Sequence, residues 1–364
     1  MQSRRAFVLA MIAARLASEG RAVAATADVA VPDRAPIRFP DAFGAHPDTR
    51  IEWWYVTGAL EAAARTWGFQ ITFFRATTGI AASSSRFAAR ELVFAHAAVS
   101  DLAQRRLRHD QRIARSGFGI AEASVGATAL KVRDWTLDRR EVDHRSRYAA
   151  RAASDVGAFA FDLALVATQP ILLQGAGGWS RKGPRSEQTS RYYSEPQLEV
   201  TGTLALDGRP FQVTGLAWLD HEWSDAFLDR EAVGWDWIGM NLDDGAALTA
   251  FRLRRADGSA LWSGGSFRAA GGTTRDFADG EVVLTPGRMW TSPASSARYP
   301  VEWTVATPAG RFTVRSLQDD QELDSRASTG SIYWEGLSLL ADANGKRVGR
   351  GYLEMTGYAQ RLVL

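Results

Sequence analysis

The chain has 364 residues, 46% hydrophobic and 23% charged, with 43 basic against 41 acidic side chains and a formal charge of +2. That balance describes an ordinary globular chain without a nucleic-acid footprint, and no Lys/Arg block with interleaved aromatics stands out. Cysteine is absent, which excludes disulfides, thiolate metal sites and cysteine nucleophiles, whereas 13 Trp, 17 Phe and 8 Tyr point to a large apolar core or a pocket for a hydrophobic ligand.

The first element reads as a targeting segment. Within residues 1–24, Arg4 and Arg5 form a twin-arginine pair ahead of a mildly apolar stretch, and Ala22-Val23-Ala24 has the form of a cleavage site. Arg15 and Glu19 interrupt the stretch, so it does not read as a membrane span. The expectation is twin-arginine export, a mature chain from about Ala25, and a periplasmic or secreted protein. No later segment is long and apolar enough to span a bilayer.

Period-two alternation then dominates, and a first domain is predicted over 38–224. "HPDTRIEWWYVTGAL" opens it; on a strand Glu52 and Trp54 share one face, Trp53 and Tyr55 the other. Flanking tryptophans can hold Glu52 in a low dielectric, which raises a carboxyl pKa and makes an acid. The bland alternative is an ion pair with Arg50 or Arg75 at a solvated rim. "TWGFQITFF" puts Trp67, Phe69, Ile71 and Phe73 on one side of a strand. "SRFAARELVFAH" suggests one short helix, with His96 in a strand-like run where a satisfied core role is commonest. His46 reads as a turn residue, His109 and His144 as surface residues. "GAFAFDLALVA" alternates cleanly, and "QLEVTGTLALDGRPFQVTGLAWL" is a hairpin about Asp207-Gly208. "LDHEW" follows it directly; Asp220 and Glu222 would share one face, His221 and Trp223 the other.

A second domain is predicted over 225–364, with hairpins about Asp257-Gly258, Pro308-Ala309-Gly310 and Asn344-Gly345. "GWDWIGMNL" sets Asp236 between Trp235 and Trp237. "YWEG" sets Glu335 after Tyr333 and Trp334, and "GYLEMTGY" sets Glu354 between Tyr352 and Tyr358. Carboxylates thus recur beside aromatics at Glu52, Asp236, Glu335 and Glu354; a buried unpaired carboxylate is costly, so each needs a partner or a function. The fold class is all-β, two antiparallel sheet domains closed as barrels or sandwiches, with little helix. "LDHEW" falls at the domain seam, where ligand sites are common. There is no G-x-S-x-G elbow, Walker loop or H-E-x-x-H, and five scattered histidines give no metal-ligand spacing, so no metal and no cofactor are expected.

Several stretches together resemble a known family: "HPDTRIEWWYVTGAL", "GFQITFFR", "FAHAAVSD", "YYSEPQLEVTGTL", "WLDHEWSD", "GWDWIGMNLDDG", "YWEG" and "GYLEMTGY" look like the AttH-like group. That group includes carotenoid 1,2-hydratases (hydroxyneurosporene synthases) and secreted proteins labelled predicted hydrolases. The resemblance runs from about residue 40 to the C-terminus. It implies two lipocalin-like β-barrels in tandem, and in the carotenoid-hydrating members the His and Trp of a D-H-x-W motif are implicated in catalysis; these fall on His221 and Trp223, after Asp220. The Tyr-x-Asp pair those members use downstream is missing, for no Tyr lies between Glu222 and Arg298; Asp236 is a candidate acidic substitute without an aligned match to that pair.

Hydrating an isolated alkene needs a strong proton donor and a site that tolerates a carbocation. Asp220 or Asp236 would donate, His221 would hold its partner or activate water, and Trp223, Trp235 and Trp237 would line the cation's site. Trp53, Trp54, Tyr55, Tyr333, Trp334, Glu335 and Glu354 complete the candidate walls, with Glu52 as a further acid. The expected partner is a hydrophobic small molecule, isoprenoid or lipid-like. A non-catalytic carrier and a secreted hydrolase are the alternatives, and the sequence does not set the oligomeric state.

Overall fold

A computed structural model describes residues 35–80, 85, 87–225 and 228–362. The expected targeting segment, residues 1–24, lies outside them. Among the described residues the chain is all-β, with a single 3-10 turn at Asp41–Phe43 and no α-helix. The helix expected in "SRFAARELVFAH" is not formed: Glu91–Asp101 is a strand. Once Arg65–Thr77 pairs with it, the alternating Val93, Ala95, Ala97 and Val99 are fully buried, and sheet packing overrides local propensity.

Thirteen antiparallel strands form the first sheet. Its middle is made by strands distant in sequence: Ile51–Ala62 lies between Arg65–Thr77 and Arg209–Ser224, and Thr189–Leu206 follows on the far side. The Glu91–Asp101 strand also meets Ala121–Ala123 from the other end of the sheet, so the sheet nearly closes on itself. Its interior holds Trp67, Phe69, Ile71, Phe73, Phe159, Phe161, Leu163 and Leu165, the predicted inward faces.

The second sheet has ten antiparallel strands drawn from Thr274–Phe277 through Ala232–Leu242 and Arg347–Met355 to Val283–Pro286. Its own core includes Ile238, Met240, Trp303, Trp334, Leu353 and Met355. The hairpin turns fall where Asp-Gly and Asn-Gly chemistry put them; Asp207 at φ 50° and Gly208 at φ 75° give the two positive dihedrals a tight hairpin requires.

The two sheets meet through their outward faces. Tyr55, Ala59 and Trp218 from the first pack on Trp237, Phe251, Leu337 and Tyr352 from the second. Buried polar bonds stitch the contact. Gln174 Nε2 donates to Ser194 Oγ at 2.8 Å and to Thr249 Oγ1 at 3.0 Å, and Gln197 Nε2 donates to the carbonyls of Leu242 and Ala246 at 2.9 and 3.0 Å. Ser100 Oγ donates to Gln321 Oε1 at 2.8 Å.

Candidate functional site

Beside that contact the sheets part around a cavity of about 370 Å³. Its walls follow from strand alternation. From the first sheet Trp53 and Tyr55 point in, and so do Asp220 and Glu222 from "LDHEW" and Tyr192 opposite them. From the second sheet come Trp235, Trp237 and Phe251, with Tyr333, Glu335 and Glu354. Phe74, Phe94 and His96 close one side.

Three carboxyl groups here are held in unusual states. Asp220 is pushed up to about 7 by burial and by the charge of Glu222, although Ser194 Oγ, Trp218 Nε1 and Tyr192 Oη all donate to it at 2.5, 2.6 and 2.8 Å. Glu335 and Glu354 are register partners on adjacent antiparallel strands, so their carboxyls face the cavity side by side. Burial raises both, Glu335 furthest, and the charge of Glu354 adds to its shift. Like charges directly opposite on a sheet repel, and in a low dielectric one of the two keeps its proton at neutral pH. Glu335 Oε1 and Tyr55 Oη are buried with no well-formed hydrogen bond, although the Tyr55 phenol lies close enough to act against the rise of Glu335. Glu222 has partners, Lys182 Nζ at 3.0 Å and the Ser190 hydroxyl.

His96 is also part of the wall. Burial, and then the charge of His109, push it down to about 3, so its ring is neutral with one donor and one acceptor nitrogen. Nδ1 lies 2.8 Å from Tyr333 Oη, and Nε2 lies 2.8 Å from Ser328 Oγ. Gln70 Nε2 donates to Tyr333 Oη at 3.4 Å and Ser328 Oγ donates to Gln111 Oε1 at 2.6 Å. The phenol proton therefore goes to Nδ1, and Nε2–H goes to Ser328.

The reverse face of the same wall carries the other half of the motif. His221 and Trp223 point into the first sheet's interior, away from the cavity, with Trp54 stacked on His221 at 4.4 Å and His46 stacked on Trp223 at 3.8 Å. Glu52 Oε1 holds His46 Nδ1 at 2.7 Å and His221 Nε2 at 2.8 Å, while Arg75 Nε donates to Glu52 Oε2 at 2.8 Å. Tyr193 Oη is 3.1 Å from His221 Nδ1.

The face assignment within "LDHEW" is as expected, but the candidate residues divide between two compartments. Trp53, Tyr55, Asp220, Trp235, Trp237, Tyr333, Glu335 and Glu354 reach the cavity. Glu52, Trp54, His221 and Trp223 lie behind its wall, because a strand sends alternate side chains to opposite faces. Asp236 and Trp334 lie inside the second sheet for the same reason; Asp236 takes Arg252 Nε at 2.7 Å and Tyr358 Oη at 2.8 Å. Glu52 was expected as an acid with a raised pKa or as a rim ion pair. Burial acts most strongly and raises it, but the hydrogen bonds and the charges of His221 and His46 together outweigh burial and hold it below the usual carboxylate range. Its arginine is Arg75, fully buried with it and far from any rim. Two of the five histidines, far apart in sequence, meet in space: ligand atoms of His46, Glu52 and His221 lie within 4.8 Å of one another. Arg75 on the same carboxylate opposes a cation there. His96 is the buried, hydrogen-bonded strand residue expected, and its place in the cavity wall is the new part; Lys182, which carried no local signal, was missed.

A family model described as AttH-like matches residues 30–358. No curated protein matches. The crystal structure of a protein assigned as AttH from Nitrosomonas europaea is 46% identical, covers 90% of this chain and 99% of its own, and superimposes with a TM-score of 0.83. Kievitone hydratase from Nectria haematococca shares the fold at 16% identity, with 93% of this chain and 96% of that one covered and a TM-score of 0.69. CghA, solved with Sch210972, is 12% identical over 85% of this chain and 89% of its own, at a TM-score of 0.52.

Proposed function

The chain belongs to the AttH-like family, and from that premise we propose that it is a hydratase-type enzyme whose cavity takes up an apolar alkene and adds water to it. The observation that carries this reading is the Glu335–Glu354 pair opposed across one strand boundary, within an aromatic cavity that also holds Asp220. The name of one fold neighbour, kievitone hydratase, supports the reaction class.

The chemistry needs no group beyond these. A carboxylic acid kept neutral by apolar walls donates its proton to one alkene carbon, and the other carbon becomes a cation. The ring faces of Trp235 and Trp237 stabilise that cation by about 0.5–2 kcal/mol each. Water adds to it, and the carboxylate left by the first step takes the proton that water loses. One C=C and one H2O become one alcohol, and the acid is restored. Glu335 is the donor and Glu354 its charge partner, and Asp220 orients the water. His221 and Trp223 act as positioning residues that hold the shared wall from behind.

The test is incubation of the purified chain with acyclic terpenoid alkenes in ¹⁸O water. An alcohol carrying one heavy oxygen is expected, with Glu335→Gln lowering the rate by about 10²–10⁴. A full rate in Glu335→Gln would remove the acid role. The weaker part of the reading, uptake of an apolar molecule without turnover, would show in native mass spectrometry as a retained lipid in a chain that makes no alcohol.

We also propose export by the twin-arginine route from residues 1–24; Arg4→Lys with Arg5→Lys should empty the periplasmic fraction, and an unchanged fractionation would count against it.

A further inference from the structure

We propose that the cavity is selective for an apolar molecule carrying a positive charge, a quaternary or tertiary ammonium. This deepens the hydratase reading and rests on the same cavity, since the cation formed on protonating an alkene shares the charge and the alkyl coat of such an ammonium.

Charge inventory makes the first argument. Asp220, Glu222, Glu335 and Glu354 all face the space, and Lys182 is spent on Glu222 at 3.0 Å. Among the described residues no ion pair reaches Asp220, Glu335 or Glu354. Three buried carboxylates elsewhere have arginines, Glu52 with Arg75 at 2.8 Å, Asp236 with Arg252 at 2.7 Å and Asp101 with Arg65 at 3.0 Å, while the solitary Glu195 accepts from the hydroxyls of Tyr148 and Ser146. The cavity is the place where buried acids gather without a matching cation.

An orphaned acceptor makes the second. Glu335 is 3% exposed, its Oε1 makes no well-formed hydrogen bond and has only the Tyr55 phenol near it, and it lines the hollow. A buried acceptor left unmade is a standing cost that a cation in the cavity removes.

The walls make the third. Ring faces attract cations, most of all ones with methyl or alkyl coats that aromatic surfaces can enclose. The chain shows this on a small scale, for Lys182 Nζ already sits 4.7 Å from the centre of the Tyr192 ring and 4.5 Å from that of Phe251. Trp53, Trp235 and Trp237 offer larger faces nearby.

Protons compete for the same carboxyls. Besides the four acids and Lys182, the titratable groups facing the space include Tyr55 and Tyr192 from the first sheet and Tyr333 from the second, whose phenols burial keeps protonated. His96 stays neutral. Asp220 and Glu354, each pushed up to about 7, change charge near neutrality, so cation affinity rises with pH.

The experiment uses the full chain and three probes of equal length: decyltrimethylammonium, 1-decanol and decyl sulfate, titrated by calorimetry at pH 6 and pH 8. At pH 8 the ammonium should bind at least tenfold more tightly than decanol, and decyl sulfate least. The preference should shrink toward pH 6 by up to tenfold per pH unit for each proton displaced. Glu335→Gln with Glu354→Gln should bring the ammonium down to the affinity of decanol and leave decanol unmoved. Equal affinity for ammonium and decanol at both pH values overturns the proposal, and this reading needs no variant to fold. Ammonium preference in a chain that hydrates no alkene leaves the proposal standing and removes the hydratase. Alkene hydration without ammonium preference does the reverse.

Discussion

Glu52 and Glu335 are the same residue type at nearly the same burial, yet they end in opposite states. Glu52 meets two histidines and an arginine and stays charged. Glu335 meets burial and another glutamate, which the nearby Tyr55 phenol offsets only in part, and is raised far above the ordinary value of 4.5. The sign of the stability effect follows. A carboxyl that holds its proton more tightly folded than unfolded contributes fully below its unfolded pKa, about 4.5, and its contribution falls as pH rises through neutrality toward the folded pKa. Glu335→Gln, neutral at every pH, should therefore raise Tm over the native chain at pH 8 and give no gain at pH 4.5. Melts at the two pH values check this, and a loss at pH 8 would mean the pair is charged and satisfied. Glu52 runs the other way: its contribution is present above about pH 4.5 and is lost as pH falls further. From sequence, both were visible as carboxylates beside aromatics. Their fates were not, because Arg75 sits 23 residues from Glu52 in the chain and 169 residues separate Glu52 from His221.

Strands carry the next level of information. Alternation told which residues of "LDHEW" share a face, and turn chemistry told where hairpins close, because both depend on neighbours within a few positions. Which compartment each face looks into depends on pairing across the chain, such as Tyr55 with Asp220, and that was not legible. The expected helix failed for the same reason, since a partner strand decides what an ambiguous apolar run becomes. Gly68 shows how tightly the strands of the two sheets approach. A Cβ there would lie 2.7 Å from Tyr352 Oη and 3.0 Å from Leu337 Cβ, both on the second sheet. Gly68→Leu should force the sheets apart, costing about 1–3 kcal/mol. Thermal melts should show the fall in Tm. An unchanged Tm would mean that the contact is loose.

At the scale of the molecule, the region from residue 35 to the C-terminus is one compact unit. The apolar contact around Trp218, Trp237 and Tyr352, with the Gln174 and Gln197 bonds, joins the sheets as firmly as a core. Heating should therefore give one calorimetric transition whose van't Hoff and measured enthalpies agree. Two resolved transitions would show that each sheet melts alone. The partition on which Asp220, His221, Glu222 and Trp223 stand serves two rooms at once, and even-numbered and odd-numbered positions belong to different tenants. A substitution changes the furniture of one room and only leans on the wall of the other. Inserting or deleting a single residue would trade the contents of both, so this stretch is bound in length more strictly than in letters.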